Sequence, residues 1–164
     1  MQTFLPLPNF HATAEVLDYK RLGKQRVEAW QVLRALRGET KGWVNHPATV
    51  MWQGHEQSLI LYGIVICNEW IKRGYKDALL PQFQAELTNP NAPLPWWFGF
   101  KPLHLSHRSN LIRKDADYYS KKFDFEITPT DLPYVWCKPD GTFTVTDITK
   151  KVKKTLANSL DTRN

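Results

Sequence analysis

The sequence predicts an all-α compact single domain with a small appendage, a β-hairpin followed by a helix, at its carboxyl end. Three observations predict it. Apolar residues recur at helical spacing through Leu17–Gln31 and again from His46 to Gly74. Strand-like alternation is confined to residues 134–147, YVWCKPDGTFTVTD, where Pro139-Asp140-Gly141 is a turn signal between two short runs. A chain of 164 residues is long enough to bury about two-thirds of its unfolded surface without metal or disulfide support. The expected division is a helical domain over residues 1–127 and a hairpin with a basic helix over residues 128–164.

The first ten residues, MQTFLPLPNF, are apolar and interrupted by Pro6 and Pro8, so they read as an extended arm packed on the body. A helix opening at His11 or Thr13 is expected to run to about Arg37, where the polar stretch GETKG stops it. Asn45 is the expected cap of the next helix, with Pro47 in its first turn. That helix reads as long, apolar on more than one face and central to the core, ending at Gly74 behind Lys72 and Arg73. Gly54 and Gly63 are its candidate positions for a kink or a close helix contact.

A short amphipathic helix is expected from near Leu79. The stretch TNPNAPLPWWFGFKP is too rich in Pro and Asn to be regular; its Trp96, Trp97, Phe98 and Phe100 belong in the core or face a ligand, and exposing all four is costly. Ser106 or Ser109 is the expected cap of a following helix that carries Arg108, Arg113, Lys114, Tyr118 and Tyr119. Basic residues interleaved with aromatics suit a nucleic-acid groove, with charge for phosphates and rings for bases; a solvated basic helix with inward tyrosines is the alternative. After the hairpin, ITKKVKKTLANSL is amphipathic, with Ile148, Val152, Leu156 and Leu160 on one side.

A net charge of +6 favours an acidic partner such as nucleic acid. Seven Trp residues in a chain that is 13% aromatic imply that much of the aromatic surface is core. Cys67 and Cys137 stand far apart and lack neighbours at metal-ligand spacing, and His104 and His107 lack further ligands, so neither a metal nor a cofactor is expected. With no signal-like start and no long apolar run, the expectation is a cytoplasmic monomer away from any membrane.

The stretch LDYKRLGKQRVEAWQ concentrates the chemistry. As a helix it lines up Arg21, Lys24, Glu28 and Gln31 on one face and Leu22, Ala29, Val32, Leu33 and Leu36 on the other. One carboxylate thus stands on a basic face. Glu28 is either the partner of Lys24 in a surface pair or a group with a chemical task, because a carboxylate in a phosphate-binding surface is repelled by its ligand.

Several spacings resemble the pyrimidine-dimer DNA glycosylase family of the phage endonuclease V type. Leu17, Asp18, Leu22 and Glu28 resemble the start of that family's first long helix and its catalytic glutamate. Asn45-His46-Pro47, Gly54-His55 and Lys72-Arg73-Gly74-Tyr75 resemble its next loop and the two ends of its long helix, and His107 to Tyr119 is similar to a later basic helix. The similarity spans roughly residues 10 to 120.

The resemblance implies an endonuclease V-like helical fold that binds and bends duplex DNA and removes a damaged or modified pyrimidine. It implies an amine that attacks the sugar C1′ to form a Schiff base, giving an associated lyase activity, and a glutamate, here Glu28, that stabilises the cationic sugar. Lys20, Arg21, Lys24 and Arg26 would hold phosphates beside it, together with His46, His55, His107, Arg108, Arg113 and Lys114, while Trp96 and Trp97 would fill the space left by an extruded nucleotide. In the family the nucleophile is the amino group of a small residue exposed by loss of the initiator Met. Here the bulky Gln2 follows Met1, so the candidates are the Met1 amine, Lys20 or Lys24, and an activated water. The basic neighbour of the family's glutamate is replaced by Val27. A non-catalytic nucleic-acid-binding protein of the same fold is the alternative; a metal-dependent nuclease would need clustered carboxylates that the basic face lacks.

Overall fold

The arm at the amino terminus determines how the helices are arranged around it. The computed structural model describes residues 1–146, so the helix expected over residues 148–160 lies outside the described part. Residues 2–6 are buried, although their main-chain N–H and C=O groups must find partners once removed from water. Side chains supply them. Gln25 Oε1 accepts from the Phe4 N–H at 2.8 Å, and Gln25 Nε2 donates to Gln2 O at 2.9 Å. His107 Nδ1 accepts from the Leu5 N–H at 2.8 Å, His104 Nδ1 donates to Leu5 O at 2.7 Å, and Arg108 donates to Pro6 O at 2.8 Å. Tyr62 donates to Phe4 O, and Trp52 Nε1 donates to the Thr3 hydroxyl. The arm therefore runs through the protein as a strand does, with a ladder built from side chains.

The expected first helix is two. Helix α1 (Phe10–Val16) begins at Asn9, whose side chain accepts from the Ala12 N–H, and ends at Leu17. Asp18 then caps α2 (Tyr19–Leu36) by accepting from the Lys20 N–H. Asp18 also accepts from the Tyr119 hydroxyl and pairs with Arg21 at 3.2 Å, so a carboxylate that local periodicity assigns to a continuous helix instead starts a new one. Leu22, Ala29, Val32 and Leu33 are buried as their spacing predicts, and Gln25 joins them to hold the arm.

The expected long central helix is also broken. His46, rather than Asn45, caps α3 (Pro47–Met51), its Nδ1 accepting from the Ala48 N–H at 3.0 Å. Gly54, at φ +78°, turns the chain into α4 (Glu56–Lys72), which is capped by Arg73 and followed by Gly74 at φ +94°. Helix α4 packs on α2 and on α5 (Leu80–Glu86), where Gly63 allows the Phe83 ring to lie against its backbone: a Cβ there would sit 2.5 Å from the ring. Helix α6 (Lys101–Lys114) starts at Phe100, not at a serine. Ser106 and Ser109 lie inside it and accept from the N–H groups of Val135 and Leu132. Asp115 ends α6 and caps α7 (Ala116–Lys122).

The predicted hairpin is present. Strands β1 (Val135–Cys137) and β2 (Phe143–Val145) pair antiparallel, Trp136 opposite Thr144. Through Ser106 and Ser109, and through Arg113 donating to Thr130 O and Leu132 O, α6 draws β1 onto the helical body. No helix of the described residues is long and apolar enough to cross a membrane.

Candidate active site

The arm ends in a cleft of about 520 Å³ whose walls come from five parts of the chain. Met1, Gln2 and Phe4 come from the arm, and Lys20, Arg21, Lys24, Gln25 and Glu28 from α2. His46 comes from the cap of α3, Lys114 from the end of α6, and Tyr134, Trp136 and Thr146 from the hairpin region. Positions 21, 24, 25 and 28 project together because residues three and four apart share a helical face.

Glu28 lies at the end of the arm. Its Oε2 accepts from the Gln2 N–H at 3.2 Å and from Gln25 Nε2 at 3.1 Å. The second bond is part of a connected set, since the Tyr62 hydroxyl lies 2.8 Å from Gln25 Oε1 as well as from Phe4 O and shares its single proton between them. Both amide N–H groups of this buried side chain are used, and its oxygen accepts from the Phe4 N–H and shares the Tyr62 proton with Phe4 O. One side chain thus anchors both the arm and the carboxylate. Gln25 was not singled out by sequence reasoning; a polar residue at a core position of α2 was the available signal.

The charge of Glu28 reaches its surroundings. Burial, assisted by that carboxylate, raises the Tyr134 phenol to about 12, against opposing pulls from Arg113 and Arg21, so the hydroxyl keeps its proton at neutral pH. Tyr62, fully buried, is also raised well above its ordinary value by the same two causes. The His46 ring is lowered, first by burial and then by the amino-terminal ammonium, which brings the Met1 amine within electrostatic reach of it. Because Nδ1 accepts the capping bond, the neutral ring carries its proton on Nε2.

Of the residues expected to act, the cleft collects Met1, Lys20, Arg21, Lys24, Glu28, His46 and Lys114. The others lie elsewhere. Arg26 projects from the other side of α2, paired with Asp77 and stacked on Trp70 at 4.5 Å. His55 borders a separate shallow depression with Gly54, Glu56 and Asn89. His107 is fully buried and Arg108 nearly so, both spent on the arm rather than on phosphates. Arg113 is bonded to Ser109, Asn110 and two carbonyls of the 130–132 segment. Trp97 is core, donating to Met51 O at 3.0 Å, and Trp96, 40% exposed, donates to Lys138 O in the hairpin. The buried face of α6 thus clamps the arm through His104, His107 and Arg108, because the arm's backbone groups need partners, while Lys114 at the end of the helix lines the cleft. Tyr134, Trp136 and Thr146 reach the cleft only through the docking of the hairpin, which no local pattern announces.

Among the described residues no group of three or more His, Cys, Asp or Glu is arranged to hold a metal ion. Cys67 and Cys137 are free and buried, each thiol raised to about 12 chiefly by that burial.

A helical body that delivers its own amino terminus, one carboxylate and several cations to a single cleft has the parts of a protein that works on a polyanion. Residues 1–80 match the model of the family described as pyrimidine dimer DNA glycosylase, which supports the family resemblance read from the sequence. The matched segment contains the arm, α2 and His46, and so every cleft residue except Lys114, Tyr134, Trp136 and Thr146. The family description supports DNA glycosylase activity, and with it a DNA substrate. No curated protein and no solved structure matches the chain.

Proposed function

We propose that the protein excises a damaged or modified pyrimidine from duplex DNA in the cytoplasm, acting as a monomer, with Glu28 as its catalytic carboxylate and an amine of the same cleft as nucleophile. The observation that carries this reading is the Gln2 N–H to Glu28 hydrogen bond of 3.2 Å, which sets the residue next to the Met1 amine against the one carboxylate of a basic cleft that Met1 also lines.

The chemistry follows from charge. Breaking the bond between base and sugar sends its electron pair to the base and leaves positive charge on C1′ and the ring oxygen. A fixed carboxylate stabilises that charge more in the transition state than in the ground state, where it is absent. The attacking amine, in its neutral form, adds to C1′; loss of its proton and opening of the sugar ring yield a Schiff base. Abstraction of a C2′ proton then allows elimination of the 3′ phosphate, the lyase step. Glu28 is the group suited to move these protons. Met1 is favoured as nucleophile by the hydrogen bond next to it, and Lys24, one turn before Glu28 on the same face, is the second candidate. Lys20, Arg21 and Lys114 are suited to the flanking phosphates.

Borohydride reduction in the presence of a duplex with one abasic site, followed by mass mapping, tests the reading. An adduct on residue 1 is expected. An adduct on Lys24 reassigns the nucleophile, and tight binding without any adduct removes the lyase step and leaves water as the attacking group.

A further inference from the structure

We infer that Trp43 is a wedge that enters the DNA base stack where a nucleotide has left it. The inference rests on the reading of the cleft as a site for an extruded nucleotide. Extrusion leaves a gap in the duplex, and a flat aromatic ring next to the cleft mouth is the chemistry that fills it. The sequence placed this task on Trp96 and Trp97, but Trp97 is buried in the core and Trp96 is bound to the hairpin backbone.

Trp43 has the required position. It is 49% exposed, and its neighbour Val44 is 37% exposed, so two adjacent apolar side chains face outward. Its ring packs edge-on against His46 at 5.3 Å, and His46 packs against Trp136 at 5.8 Å; both of these line the cleft. An aromatic row therefore leads from the cleft wall to the outside and ends on an indole.

The backbone supports the same conclusion. Trp43 is the one non-glycine residue at positive φ among the described residues, at +66°. Bulky side chains rarely adopt that conformation, and the outward indole recovers little packing in exchange. The turn is held by the His46 N–H donating to Trp43 O at 3.0 Å, so the ring is presented from a fixed loop anchored at the cap of α3. A strained, rigid loop that exposes its largest side chain beside a basic cleft is explained by a ligand that the ring enters.

The test compares binding of the wild-type protein and of Trp43→Ala, Trp43→Asn and Trp43→Phe to two probes: a duplex carrying one tetrahydrofuran abasic analogue, and the same strand alone. Asparagine tolerates the left-handed backbone but has no ring. The Ala and Asn variants are expected to bind the duplex about tenfold or more weakly, the scale of one lost stacking contact. Their binding to the single strand, which has no stack to enter, changes less than twofold, and Phe retains most of the duplex affinity. Thermal melts matching the wild type confirm that the exposed substitutions leave the fold intact; a variant that melts early is replaced in the comparison by the other ring-free one. Unchanged duplex binding in both ring-free variants, or equal losses on both probes, overturns the wedge. If duplex binding depends on Trp43 but the wild type releases no base and forms no borohydride adduct, the glycosylase reading fails while the wedge stands. A wild type that binds neither probe overturns both.

Discussion

At the scale of single residues, Glu28 and Gln25 divide two tasks that α2 brings together. Glu28 is half-buried in the cleft and held by two N–H donors, an arrangement that keeps a carboxylate oriented without neutralising it. Replacing it by Gln preserves shape and removes the charge. Glu28→Gln should lower base release by about a hundredfold or more, the usual cost of losing one preorganised electrostatic partner. DNA affinity should stay equal or rise slightly, because a negative charge beside the phosphates has gone. Single-turnover base release and fluorescence anisotropy on the same duplex check both halves, and full activity in the variant would remove Glu28 from the mechanism. Gln25→Leu has a different expected signature. It orphans the Phe4 N–H and Gln2 O, so stability should drop by about 2–4 kcal/mol in urea unfolding, with loss of activity as the arm loosens.

At the scale of elements, the breaks between helices matter as much as the helices. Asp18 starts α2 afresh and so sets the rotation that turns Lys24 and Glu28 toward the arm. Gly63 decides how closely α5 approaches α4. An alanine Cβ at that position would meet the Phe83 ring at 2.5 Å, and Phe83 is itself packed edge-on against Trp30 at 5.1 Å. Gly63→Ala should therefore destabilise the protein by about 1–3 kcal/mol through overpacking, visible as a lowered Tm. The loss should shrink when Phe83→Leu is combined with it, since a smaller side chain leaves room for the methyl group. A Gly63→Ala protein as stable as wild type would contradict this contact.

For the whole molecule, two dependences on solution conditions follow. Lys20, Arg21, Lys24 and Lys114 line one cleft, and if each neutralises a phosphate the plot of log affinity against log salt should have a slope of about −3 to −4. A slope near zero would mean that the cleft does not take up DNA. The second concerns acid. His107, fully buried, is lowered to about 3 by burial and by the neighbouring His104, which is itself lowered mainly by burial. The unfolded chain, with ordinary histidines, takes up protons before the folded one does, so stability is full above about pH 6.5 and falls as pH drops toward 3. Between pH 6.5 and 5 His107 alone should cost about 2 kcal/mol, on the scale of 1.4 kcal/mol per pH unit for one proton. Urea midpoints at pH 7.5 and 5 measure this, and His107→Gln should flatten the dependence.

The sequence by itself determined the helical class, the apolar stripe of α2, the hairpin at Pro139-Asp140-Gly141 and the association of Glu28 with nearby cations. All of these rest on periodicity and turn chemistry, which are local. Met1, Lys24 and Glu28 were legible as candidates, and the extended arm was legible from Pro6 and Pro8. Only the tertiary structure decided what the basic and histidine-bearing helix α6 does. His104, His107 and Arg108 look like a surface for phosphate in the chain, yet they lie inside because a buried arm without a strand partner takes its hydrogen bonds from side chains. The same is true of Trp43 and Trp97. Both are tryptophans in loops, and whether each faces the core or the outside depends on contacts with residues distant in sequence, which no spacing along the chain records.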